Sequence, residues 1–89
     1  MDMPMRVLCL IKTMNEEKKP IWFTKIVKIL HEPSNKVMSA LRTLEDWDCV
    51  KSQYEETEKD RVGRCYHLTE FAVMRFKEFA NDAEKVMLN

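Results

Sequence analysis

Asn35, Lys36, Ser39, Arg42 and Thr43 are adjacent or three residues apart, the spacing that gathers side chains on one side of a helix. The chemistry they offer is hydrogen bonding and positive charge. A guanidinium can pair with both acceptors of a guanine edge, and a carboxamide with the donor and acceptor of adenine. Between them Val37, Ala40, Leu41 and Leu44 fall at i, i+3, i+4 and i+7, so one helix would bury that stripe and present the polar face. From Lys18 to Leu44 there are six basic residues (Lys18, Lys19, Lys25, Lys28, Lys36, Arg42) against the single acid Glu32, a local charge of +5. Residues 1–17 carry −1 and residues 45–89 carry −4, so the chain total is zero. The total therefore gives no reason for a polyanionic partner, whereas the local asymmetry does.

Other chemistry has less support. Cys9, His31, Cys49, Cys65 and His67 lack the paired C-x-x-C or H-x-x-x-H spacing of a structural zinc site, and no metal or cofactor is expected. Glu45, Asp46 and Asp48, like Glu55 and Glu56, fall on expected solvated faces and loops with no nucleophile and base to pair, so the reading is of a protein that is not an enzyme. Three cysteines, an odd number, suit free thiols in a reduced, cytoplasmic chain. The longest apolar run, Val7 to Ile11, is five residues, far below the roughly 18 that a membrane span requires, and Met1 to Pro4 has no basic start of a signal peptide.

The elements that would position these residues follow from periodicity and breakers. With 45% hydrophobic residues, one glycine and three prolines in 89 residues, a single mainly helical domain over 1–89 is expected, with no room for a separate small-molecule domain. Val7, Leu8, Ile11 and Met14 predict a first helix from Pro4 to Met14. Pro20 ends a polar loop and opens a brief β-prone stretch, Pro20 to Trp22. Phe23, Ile26, Val27 and Leu30 predict a second helix capped by Thr24, and Ser34 would cap the third after a four-residue turn, a helix-turn-helix pattern.

Beyond Trp47 the period falls to two. Val50, Ser52 and Tyr54 share one strand face, Tyr66 and Leu68 another, and pairing Val50 with Leu68 would set Cys65 opposite Gln53 and put Cys49, Cys65 and His67 on the outer face. A long polar loop, Glu55 to Gly63, joins the two strands. Thr69 would cap a last helix over 70–89 whose stripe Ala72, Phe76, Phe79, Ala83 and Val86 has spacings of 4, 3, 4 and 3. That stripe outruns the core available to it, so the helix is expected to form a homodimer. Trp22 and Trp47 are read as core or helix-end packing.

The order α-β-α-α-β-β-α, mainly α with a small β-hairpin wing, is that of a winged helix-turn-helix. The wording of two segments strengthens it: Val37-Met38-Ser39-Ala40-Leu41-Arg42-Thr43-Leu44-Glu45, then Arg64-Cys65-Tyr66-His67-Leu68-Thr69. Over residues 5–80 the chain resembles winged-helix transcription regulators of the MarR, ArsR and PadR kind, prokaryotic or archaeal. The resemblance implies a nucleoid-associated homodimer that binds sequence-specific double-stranded DNA, with the third helix in the major groove. It implies base or phosphate contacts for Asn35, Lys36, Ser39, Arg42 and Thr43, phosphate anchors at Lys18, Lys19, Lys25 and Lys28, and wing contacts at Lys59, Arg61 and Arg64. Asp48 and Ala72 stand where such regulators often carry glycine. The wing is also acidic: Glu55, Glu56, Glu58 and Asp60 against Lys59 and Arg61 give −2, unusual beside phosphate. An acidic wing and a neutral chain would also suit a protein-interaction module within a larger complex.

Overall fold

The computed structural model describes residues 2–56 and 61–88, with side chains described as far as Ala80. Helix α1 spans Met3–Glu16, α2 Phe23–Leu30, α3 Ser34–Asp46 and α4 Glu70–Leu88, and strands β1 (Val50–Glu56) and β2 (Val62–Leu68) form an antiparallel hairpin. This is the predicted winged helix-turn-helix. Pro4 sits in the first turn of α1, where its missing N–H costs nothing, and Asp2 Oδ1 accepts from the Met5 N–H at 3.0 Å.

The stripes read from the sequence form the core. Val7, Leu8, Ile11 and Met14 of α1, Ile26 of α2, and Val37, Ala40, Leu41 and Leu44 of α3 are buried together with Ile21, Val50 and Tyr66. Phe23, Val27 and Leu30 pack half-buried against them. α1 crosses α3 and also packs β2, so the hairpin is fixed to the helical body at its base. The register is the predicted one: Val50 faces Leu68, and Gln53 faces Cys65.

Three local expectations differ. The stretch Pro20–Trp22 is no strand in its own right: Trp22 makes one isolated bridge to Cys65, and the Tyr66 N–H donates to the Ile21 carbonyl at 2.9 Å. Three residues between a turn and a helix are too few to extend a ladder. Thr24 lies inside α2, whose N-cap is Trp22 with no side-chain hydrogen bond, and Ser34 is the first residue of α3, with Pro33 at its cap. In both places the extended backbone before the helix comes from the neighbouring residue, so the hydroxyl stands one or two positions too far along. Thr69 does cap α4, its Oγ1 accepting from the Ala72 N–H at 3.1 Å and donating to the Asp48 carbonyl.

Candidate nucleic-acid interface

Burying Val37, Ala40, Leu41 and Leu44 turns the opposite face of α3 outward. Asn35, Lys36, Ser39 and Arg42 are exposed there, and among the described residues their side chains have no hydrogen-bond or ion-pair partner. Thr43 differs. It is half-buried and its hydroxyl donates to the Ser39 carbonyl at 3.1 Å, so that hydroxyl is already engaged by its own helix. Asn35, Lys36 and Ser39 also border a shallow groove against Met3 and Pro4 of α1.

The lysines do not form one surface. Lys28 is exposed in the last turn of α2, where a cation suits the helix dipole. Lys25 folds back so that its Nζ lies 5.0 Å from the Trp22 ring centroid. Lys19 pairs with Glu17 at 3.1 Å, and Lys18 holds a left-handed φ of 57° in the turn after α1. Lys18 and Lys19 line a different place, a cleft of about 970 Å³ between the end of α1, the hairpin and α4 that includes no residue of α3. The +5 segment is therefore divided between the α2–α3 region and this cleft.

The hairpin has two chemically distinct faces. Val50, Ser52 and Tyr54 lie opposite Leu68, Tyr66 and Arg64, and this face continues the core from buried Val50 and Tyr66 to Tyr54, which is 76% exposed. Arg64 is exposed, with its Nε donating to Ser52 Oγ at 2.7 Å. Arg61 is exposed just before β2, and Lys59 lies outside the described residues. On the reverse face Lys51, Gln53 and Glu55 lie opposite His67, Cys65 and Gly63.

Cys65 and His67 do share that face, but Cys65 is fully buried, lying where Trp22 bridges to it. Burial, and then the neighbouring Glu55 carboxylate, push its thiol above the ordinary range. Cys49 stands one residue before β1, half-buried against the core, its thiol raised by burial and then by Asp48. The three thiols are free.

On α4, Ala72 is buried and Phe76 packs half-buried on the core beneath Lys12 Nζ, 5.4 Å from its ring. Phe79 is 73% exposed, and the side chains of Ala83 and Val86 lie outside the described residues. Sequence reasoning did not mark Tyr54 or Asn15 as positioned groups. Tyr54 was visible only as a third residue at period two on a strand whose inner partners are buried. Trp47 caps α3 at its C-terminal end, as expected of helix-end packing, but remains 55% exposed. Among the described residues no helix is long and apolar enough to cross a membrane.

No family model matches the chain and no curated protein matches it. Solved structures do. Lactococcus lactis ZitR is similar over 96% of this chain at 28% identity and a TM-score of 0.64. The adhesin competence repressor AdcR of Streptococcus pyogenes matches over 98% at 18% identity and a TM-score of 0.65. The transcriptional regulator YodB of B. subtilis matches over 92% at 19% identity and a TM-score of 0.62. The chain spans 53% of ZitR, 58% of AdcR and 78% of YodB, about half the length of the first two. With the buried helical stripes, the turn between α2 and α3 and the hairpin in its predicted register, the chain is a winged helix-turn-helix similar to regulators of the MarR, ArsR and PadR kind.

Proposed function

We propose that the chain is a transcription regulator that binds double-stranded DNA in sequence-specific fashion, with α3 in the major groove. The supporting observation is the exposed face of α3, where the side chains of Asn35, Lys36, Ser39 and Arg42 have no hydrogen-bond or ion-pair partner among the described residues while the opposite side is locked into the core. Buried stripes make the helix a rigid platform, and side chains without internal partners carry no bonds that must be broken before they meet a base edge. Arg42 is the guanine reader and Asn35 the adenine reader; Lys36 and Lys28 are phosphate anchors. Lys18, Lys19 and Lys25 contribute less, since Lys25 stacks on Trp22 and the other two line the cleft away from α3.

The protein acts in the cytoplasm beside the nucleoid, as a homodimer formed by residues 70–89, and is not an enzyme. Two copies related by a two-fold axis would set their α3 helices one turn of DNA apart, about 34 Å, and favour a palindromic site. A winged-helix protein-interaction module is the second reading, favoured by exposed Trp47, Phe71 and Met74 near the junction of α3 and α4.

Selection from a random pool of duplexes tests the first reading. It should return a palindrome, for which Arg42→Ala loses about 1–3 kcal/mol while Lys28→Ala weakens every sequence alike. Recovery of unenriched sequence, or unchanged affinity in both folded variants, favours the protein-interaction module.

A further inference from the structure

The chain's only glycine, Gly63, lies in β2 opposite Glu55, and its φ is not positive, so no turn geometry demands it. What its missing side chain supplies is room. Glu55 Oε2 sits 3.0 Å from His67 Nε2, although His67 is four residue pairs further along the ladder, opposite Lys51. To reach it the Glu55 side chain leaves its own pair with Gly63 and runs along the reverse face past the Gln53–Cys65 pair. The hydrogen bond from His67 is the main reason that the Glu55 carboxyl lies below its usual range. The surroundings favour the charge as well: Lys12, Lys18, Lys19, Lys51 and Lys77 line the same cleft, against Glu16 and Glu56.

We propose that this clasp, Glu55 drawn back along the reverse face to His67, is the positioning element of the wing. It holds a carboxylate in the cleft on the reverse face and leaves Tyr54 and Arg64, on the opposite face, as the wing's contribution to a sugar–phosphate backbone. The proposal rests on the DNA-binding reading of α3. It accounts for one of the wing's acids: alternation along β1 puts Glu55 on the face opposite Tyr54, whereas Glu56 keeps the parity of Tyr54, so the composition of the loop overstates the acidity of the face that meets phosphate. Ser52 supports the other face by holding Arg64 Nε, which leaves the two terminal nitrogens of the guanidinium to face outward.

The test is duplex-binding anisotropy on the full chain with four variants, each checked for an unchanged thermal midpoint of the core. His67→Leu releases Glu55 and should weaken binding to every sequence by about three- to tenfold, the scale of one exposed charge beside phosphate. Gly63→Val, which sets a branched side chain directly opposite Glu55, should do the same by crowding the carboxylate off His67. Combining Glu55→Gln with His67→Leu removes the freed charge and should restore affinity to within about twofold, which loss of packing at His67 would not allow. Tyr54→Ala should weaken binding without altering which sequences are preferred. If the unaltered protein binds duplex DNA but His67→Leu binds equally well, or the double substitution does not restore affinity, the clasp is overturned and the DNA reading stands. If the unaltered protein does not bind duplex DNA, both fall.

Discussion

Asn15 holds the outer edge of β2 through Leu68. Its Oδ1 accepts from the Leu68 N–H at 2.9 Å while its Nδ2 donates to the Tyr66 carbonyl at 3.4 Å, so one carboxamide does there what a further strand would do. With the Ile21 carbonyl accepting from Tyr66, these bonds tie the base of the wing to the end of α1. Replacing Asn15 by Leu leaves two half-buried backbone groups without partners, which should lower unfolding free energy by about 1–3 kcal/mol in urea titrations. Asn15→Asp, which keeps the acceptor and loses the donor, should fall between. An unchanged urea midpoint for Asn15→Leu would show that Asn15 does not hold the edge.

Asp48 has a φ of 57°, the left-handed region where a Cβ is disfavoured, and Lys18 and His31 share that geometry at the ends of α1 and α2. Asp48→Gly should raise stability by up to about 1 kcal/mol, seen as a higher thermal midpoint, because the backbone carbonyl that accepts from Thr69 is kept. Asp48→Ala, with a Cβ and no compensating side-chain polarity, should show no gain.

The glycine usual at that position in similar regulators was the one clue to this strain in the sequence, and it pointed to the right residue. Helices α1 to α3 were legible because each buries one face against the others, so Val7, Ile11, Ile26, Val37 and Leu41 had to repeat at helical period. The hairpin register was legible because a slip of one would turn Val50 and Tyr66 away from the core. What stayed hidden depends on pairs distant in sequence. Asn15 and Leu68 are 53 residues apart, and the Glu55 to His67 contact is offset by four ladder positions that alternation alone treats as independent. The division of the lysines was hidden for the same reason: a run of positive charge says nothing about which side of a turn each side chain takes.

Cys65 is fully buried and its thiol is raised first by burial and then by Glu55, whereas Cys9 and Cys49 are half-buried. A thiol raised in the folded state favours folding below the ordinary thiol range, near 8.5, and loses that contribution as pH rises through its folded value. Stability should therefore decline with rising pH from that range upward, and the decline should flatten in Cys65→Ala. Under native conditions alkylation should modify Cys9 and Cys49 first, and Cys65 only at the rate of unfolding. Rapid labelling of Cys65 in the folded protein would contradict its burial.

Phe79 stands 73% exposed on α4, beyond Ala72 and Phe76, which reach the core. Covering a Phe is worth about 1.5–3 kcal/mol, so a second copy is its expected cover. Sedimentation equilibrium at micromolar concentration should give twice the 10.7 kDa chain mass, and Phe79→Glu should return it to 10.7 kDa with the helical signal unchanged. A monomer mass for the unaltered protein would refute the dimer.

The most direct test of the DNA reading is the salt dependence of duplex binding. A dimer that neutralises roughly 6 to 10 phosphates should show log K falling against log salt with a slope of about −5 to −9, and removing Lys36 from both copies should make that slope shallower by about two. A slope near zero, or no binding at low salt, would contradict a DNA-binding α3 and leave the chain a protein-interaction module.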